Sequence, residues 1–307
     1  MKVKIVKDET SLRVFKALKR GVVSGKDLSK ELNVSRTAVW KAIEKIKSAG
    51  YIVRGVRGKG YVLISSPEFP VYDIAEMCEC EEFYFFDVVD STNTFLKRLL
   101  SEKKVRSVAI ALKQTAGRGR LGREWISDYG GLYFSTCFPL RDIGIGIEEL
   151  PRITLTAGVA VCKAIREIAP DCTIKWPNDI MLREKKVSGI LCELCGETEE
   201  PWVIVGVGVN VKNEVPNAAN LKEYGVEVAD VCKLVILKLK ECLKKDWRDI
   251  RREWLELTDM IGKRVRINSS GKTYTGVVRG IDERGALILE SNGETVIIFS
   301  GDCFYER

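Results

Sequence analysis

The sequence predicts a multidomain α+β protein. A winged helix-turn-helix comes first, an α+β domain on a mixed sheet lies in the middle, and a small SH3-like β-barrel closes the chain. Three observations carry this. The apolar periodicity passes from helical, through intermingled strands and helices, to short strands with turns. The basic excess is confined to the first fifth: residues 1–64 hold 16 Lys and Arg against 5 Asp and Glu, and the other 243 hold 34 against 38. A length of 307 residues also exceeds what one domain commonly uses. The expected boundaries are 1–64 for the winged helix-turn-helix, 65–82 for a linker, 83–258 for the sheet domain and 261–307 for the barrel.

Each element has its own signal. TSLRVFKALK (10–19) has helical spacing behind a Thr/Ser cap, and SGKDLSKEL (24–32) reads as a short helix. Ser35 caps a third helix, in which Val39, Ile43 and Ile46 form an apolar stripe ending at Gly50. YIVRGVRGKGYVLI (51–64) is a hairpin around a Gly-rich turn. Three helices and a hairpin make a winged helix. Its third helix would offer Ser35, Arg36, Thr37, Trp40 and Lys41 to the major groove, with Arg54, Arg57 and Lys59 of the wing reaching phosphate. A helical protein-interaction module with a solvated basic face is the competing reading; the charge of the segment and its hairpin favour DNA. SSPEFP (65–70) punctuates the chain. FYFFDVV, SVAIAL and GLYFSTCF then read as strands, and ITLTAGVAVCKAIREI (153–168) as an amphipathic helix. CTIKW, VSGILCEL and WVIVGVGV follow as strands, then a helix over 228–247 continuing to about Leu257. After Ile261 come KRVRIN, TYTGVVRGI, GALILE, TVIIF and CFYE, the strands of the barrel. The SSGKT between the first two has Arg266 where a P-loop needs its leading glycine, so a hairpin turn is expected.

Composition narrows the chemistry. There is no histidine, which excludes triads, imidazole relays and His-bound zinc. The ten cysteines read as buried thiols. Cys192 and Cys195 lie three apart on a strand and face opposite sides, and Cys78 and Cys80 lack a second pair, so no protein-bound structural metal is expected. No apolar run approaches the ~18 residues of a membrane span, and the start lacks a secretory core. A cytoplasmic protein without a membrane partner is expected.

The most informative stretch is QTAGRGRLGREW (114–125), where Arg118, Arg120 and Arg123 alternate with Gly117, Gly119 and Gly122. Its G-x-G-x-x-G matches a dinucleotide fingerprint, but no helix follows to receive a pyrophosphate. A nucleic-acid patch fits poorly in a slightly acidic domain. Glycines that admit close backbone approach, with forked guanidinium donors, favour a mobile loop that grips polyphosphate or carboxylate.

DSTN (90–93), this loop, KWPNDI (175–180), KVSGILCEL (186–194) and GVGVN (206–210) occur in one order along the chain. In that combination the whole chain resembles the bifunctional biotin–protein ligases that are also biotin operon repressors, the biotin–[acetyl-CoA-carboxylase] ligase family. The resemblance implies a class II synthetase-like sheet domain and a two-step reaction. Biotin and ATP, with Mg²⁺, would give biotinyl-5′-AMP, and a lysine of a biotin carboxyl carrier protein would then displace AMP. It assigns Ser91, Thr92, Asn93 and Gln114 to biotin, and Arg118, Gly119 and Arg120 to the loop over biotin and phosphate. Arg123 would be a further phosphate contact. Lys175 would bridge carboxylate and α-phosphate as catalytic cation together with Arg118. Asn178 and Asp179 would help hold Mg²⁺ or orient the incoming lysine, Gly189 would border biotin, and Asn210 would border adenine. Operator DNA and a homodimer carrying biotinyl-AMP are the implied partners. The alternatives are a lipoate–protein ligase, which lacks the arginine-rich loop and the fused winged helix, and a biotin-sensing repressor without catalysis, against which Lys175 and the loop argue.

Overall fold

The computed structural model describes residues 2–6, 9–196, 199–269 and 271–306. The chain opens on a strand, β1 (Lys2–Val6), and then forms α1 (Thr10–Lys19), α2 (Gly25–Glu31) and α3 (Arg36–Ser48). Ser24 and Ser35 cap the second and third helices, their Oγ atoms accepting from Asp27 N (3.0 Å) and Ala38 N (3.1 Å). The predicted stripe of Val39, Ile43 and Ile46 is buried against α1, leaving Arg36, Thr37, Trp40 and Lys41 exposed. The hairpin of β2 (Ile52–Val56) and β3 (Gly60–Ser65) completes a winged helix. Gly60 is required where the wing meets the α1–α2 connection: its φ is +119°, and a Cβ would lie 2.2 Å from Val23 O.

Two features of the first 82 residues depart from the sequence reading. The expected linker contains a helix, α4 (Val71–Met77), whose Val71, Tyr72 and Ile74 are buried. Rings of Phe15, Tyr51 and Tyr72 meet at 5.1–5.7 Å, and Tyr51 Oη donates to Asp73 Oδ2 (3.0 Å) while accepting from Tyr72 N (2.9 Å). Burial raises the Tyr51 phenol well above its ordinary value, so it remains a donor. Seven residues without a side-chain cap give little sequence signal, and the helix exists because the aromatic cluster fixes it. The second departure is β1, which pairs antiparallel with β4 of the central sheet and buries Ile5.

That sheet comprises β4 (Glu82–Val89), β5 (Ser107–Gln114), β6 (Gly131–Pro139), β7 (Thr173–Lys175), β8 (Asp179–Leu182), β9 (Lys185–Cys195) and β10 (Trp202–Asn210). With β1 its order is β1-β4-β5-β6-β10-β9-β8-β7. Only β4 and β5 run parallel, linked by α5 (Thr92–Glu102) as a crossover. Alternation along the strands makes two cores. Phe83, Phe85, Val108, Phe134, Val203 and Val205 pack with α6 (Leu150–Arg166) and α7 (Val228–Cys242), whereas Tyr84, Phe86, Ala109, Tyr133 and Ile204 pack under α5. Cys192 and Cys195 join opposite cores, as expected for residues three apart, and burial pushes the Cys192 thiol up to about 12. The helix expected over 228–257 is two, because the chain turns at 243–246 and Asp246 caps α8 (Trp247–Leu257) by accepting from Arg248 N (2.8 Å).

The last body is all antiparallel: β11 (Arg264–Ser269), β12 (Lys272–Ile281), β13 (Leu287–Ser291), β14 (Glu294–Ile298) and β15 (Asp302–Tyr305), in the order β14-β13-β12-β11-β15. A bulge at Val278/Gly280 bends it around Val265, Ile267, Val278 and Leu289, and its edges β14 and β15 do not pair. Gly271 and Lys272 sit at the β11–β12 hairpin; Ser270 of SSGKT lies outside the described residues.

Candidate active site

Strand ends, the glycine–arginine loop, the turn at 175–179 and residues 301–304 of the last body surround a cavity of about 220 Å³. At its base Ser91 Oγ caps α5 by accepting from Thr94 N (3.4 Å), which seats Ser91, Thr92 and Asn93 in the core at the helix start. Ser135 Oγ lies 2.6 Å from both Thr92 Oγ1 and Asn93 Oδ1. Gln114 Oε1 accepts from Thr92 N (2.8 Å), and its Nε2 donates to Ser127 Oγ (2.9 Å). Asn93 Nδ2 donates to Glu193 Oε2 (2.8 Å), and a Cβ on Gly206 would stand 2.2 Å from Asn93 Oδ1. The first glycine of GVGVN is therefore a clearance beneath Asn93.

The loop folds back on itself rather than opening a helix. Trp125 N donates to Gly117 O (2.9 Å) and Gly119 N to Arg123 O (2.7 Å), with a left-handed tip at Leu121 and Gly122. Gly117 leaves no room for a side chain, since its Cβ would lie 2.3 Å from Ser127 Oγ. The Trp125 indole rests on Gly208 and Gly189, where a Cβ would come within 2.5 Å and 3.0 Å of the ring, and Lys186 Nζ lies 5.1 Å from the ring centroid. The three arginines have different partners. Arg118 Nη2 donates to both Glu193 oxygens (2.9 and 2.8 Å). Arg120 Nη1 donates to Asn178 Oδ1 (3.2 Å) and Gly301 O (3.4 Å), and burial lowers its pKa. Arg123 pairs with Asp302.

Lys175 ends β7 and points its Nζ at the Tyr305 ring, 5.2 Å from the centroid, with no ion pair among the described residues. Trp176 is buried and donates Nε1 to Gly285 O (3.2 Å), which fixes the turn against the last body. Asn178 Nδ2 donates to Ile190 O (2.8 Å), and Asp179 Oδ1 lies 2.6 Å from Lys186 Nζ.

Ser91, Thr92, Asn93, Gln114, Arg118, Gly119, Arg120, Arg123, Lys175, Asn178, Asp179 and Gly189 all line this cavity. Asn210 does not: it is buried beside the 211–221 connection, donating Nδ2 to Ala219 O (3.1 Å) and accepting at Oδ1 from Asn213 (3.1 Å). Sequence reasoning left out Glu193, Lys186, Asp302 and Tyr305. Glu193 and Lys186 sit inside a quoted motif; Asp302 and Tyr305 carried no signal, because only folding brings the last strand to the loop. On the winged helix, Ser35, Arg36, Thr37, Trp40, Lys41, Arg54, Arg57 and Lys59 are exposed.

Residues 85–210 match the Biotin/lipoate A/B protein ligase family, residues 9–62 an HTH domain, and residues 260–305 the Biotin protein ligase C terminal domain. Bifunctional ligase/repressor BirA of Bacillus subtilis is 34% identical over 95% of this chain and 96% of its own length. The chain belongs to this bifunctional ligase/repressor family. The protein of the same name from Escherichia coli is 32% identical over 94% of this chain and 95% of its own. A biotin protein ligase from Aquifex aeolicus, solved in complex with biotin and ATP, superposes with a TM-score of 0.63 at 31% identity, covering 73% of this chain and 98% of that one.

Proposed function

We infer that the chain is an ATP-dependent biotin–protein ligase that makes biotinyl-5′-AMP, transfers biotin to a lysine of a biotin carboxyl carrier protein, and represses biotin genes by binding operator DNA. The observation that supports this most is the convergence of all five motifs on one region, with Lys175, Arg118 and Arg120 in the wall of one cavity. In the first step the biotin carboxylate, already an anion, attacks the α-phosphorus and pyrophosphate leaves. No imidazole is needed, only positioning and charge neutralisation. Lys175 serves because its ammonium is held by an aromatic face rather than neutralised by a carboxylate. Thr92 and Gln114 present biotin's ureido ring with short polar groups, beside Ser91 and Asn93, and Gly119 keeps backbone close to the ligand. Arg118, Arg120 and Arg123 close over phosphate.

Mg²⁺ enters with ATP. Among the described residues no three acidic or thiol groups gather as a metal cage, but Asp179 and the Asn178 amide oxygen at the cavity wall would suit a cation carried mainly by phosphate once Lys186 and Arg120 turned to the ligand. When bound it would supply charge neutralisation on the polyphosphate. In the second step the carrier's lysine attacks the acyl carbon, AMP leaves, and the amine proton passes to solvent or Asp179. Asn210 would reach adenine only after its bonds to Ala219 and Asn213 open.

The exposed half of α3 would enter the major groove, with Arg57 and Lys59 on phosphate, as a cytoplasmic homodimer spanning two half-sites once the adenylate is bound. Among the described residues no helix is long and apolar enough to cross a membrane. Incubation with ATP, Mg²⁺ and labelled biotin, with and without a carrier domain, tests the enzyme: no label on the carrier despite biotin binding leaves a sensor only. A gel shift on the protein's own biotin-synthesis promoter, with and without biotin and ATP, tests the repressor; binding indifferent to salt and ligand would refute it.

A further inference from the structure

Arg118 is one of the loop residues assigned to the ligand, yet its guanidinium already has an anionic partner within the protein. Both oxygens of Glu193 lie within 2.9 Å of Arg118 Nη2. Glu193 is itself fixed, because Oε2 also accepts from Asn93 Nδ2 at 2.8 Å. Asn93 in turn is held by Ser135 and seated over Gly206. The carboxylate is thus oriented by the motif at the floor of the biotin site, and its own side chain is four-fifths buried. Arg118, by contrast, is exposed and rides on a loop whose tip, Arg120–Gly122, holds no fully buried residue. The arginine is the less confined of the two partners.

We propose that Glu193 is an internal competitor for Arg118, so that it sets how long the adenylate is retained. A phosphate or carboxylate entering the cavity must take the guanidinium from Glu193, and Glu193 recaptures it whenever the loop lifts. Retention then reflects the difference between two anions bidding for one fork of donors, rather than the strength of the Arg118–ligand contact alone. Glu193 acts through Arg118 and is a positioning residue. This inference rests on the ligase reading above.

The test uses the full chain. Labelled biotinyl-AMP is formed in place and chased with excess unlabelled biotin and ATP, while biotin affinity is measured separately. Glu193→Gln removes the charge and keeps an acceptor for Asn93. It should lengthen adenylate retention by about 5- to 10-fold, as befits loss of a half-exposed competing ion pair, and leave biotin affinity unchanged. In an Arg118→Ala background the same substitution should change retention by less than about 2-fold, because the two residues act as one pair. Unchanged or shortened retention in Glu193→Gln overturns the proposal, as does equal lengthening in the Arg118→Ala background. Should Glu193→Gln fail to fold, Glu193→Asp, which withdraws the carboxylate while keeping its charge, must lengthen retention or the proposal falls. A wild-type chain that makes no biotinyl-AMP would instead refute the ligase reading.

Discussion

Replacing Lys175 by alanine separates two properties that usually fall together. The ammonium makes no ion pair among the described residues, and its neighbour is the Tyr305 ring at 5.2 Å. Truncation therefore removes a partly exposed cation–π contact, and stability should fall by no more than about 1 kcal/mol. The reaction loses much more. A cation placed where charge builds between carboxylate and α-phosphate is worth about 2.7 kcal/mol, or about 100-fold in the rate of adenylate formation. Biotin affinity should change by less than about 3-fold, since its ureido contacts lie with Thr92 and Gln114. Lys175→Arg should rescue poorly, because a planar fork replaces a compact charge in a wall shared with Pro177 and Cys303. Single-turnover pyrophosphate release, biotin calorimetry and a melting curve measure the three quantities. Equal losses in rate and biotin affinity would refute the assignment, and so would an unchanged rate.

Gly208→Ala would place a Cβ 2.5 Å from Trp125 Nε1, forcing the indole and its loop outward by about 1 Å to reach ordinary contact distance. We expect faster adenylate release with a melting temperature within a few degrees of wild type, and unchanged release would mean that the indole does not seat the loop. A fragment beginning near Ser65 should still make biotinyl-AMP and lose operator binding. It should also melt below the intact chain, since it lacks β1 on the β4 edge and the Tyr51–Asp73 bond; an equal melting temperature would count against that coupling. Glu82 gives a pH signature. Burial pushes its pKa up, but hydrogen bonds from Lys103, Lys4 and Tyr84 outweigh this and hold it at about 2 against the ordinary 4.5. A depressed carboxylate stabilises the fold above the unfolded-state pKa, so that contribution should disappear as pH falls from about 4.5 to about 2. Urea midpoints of wild type and Glu82→Gln should converge over that window, and a constant gap would show that the charge is irrelevant.

By itself the sequence determined the three-body order, the winged helix and the motif set. Each rests on local signals: caps at Ser24 and Ser35, the Val39–Ile43–Ile46 stripe, alternation along the strands, and glycine spacing in the loop. Local physics is legible because it acts between residues a few positions apart. The tertiary structure decided what depends on distant partners. Residues 2–6 are a strand only because β4 offers an unpaired edge, and α4 is a helix only because its Tyr72 packs against Phe15 and Tyr51. Within the site, the sequence determined which residue types would meet but not which of them are already engaged. Arg118 is bound by Glu193, 75 positions on, Arg123 by Asp302, 179 positions on, and Lys175 faces a ring of the last strand. Asn210, beside the cavity in sequence logic, turns away from it because the following connection needs its amide. Charge pairing across such separations has no signature in periodicity or spacing, since the partners are chosen by the packing of whole domains.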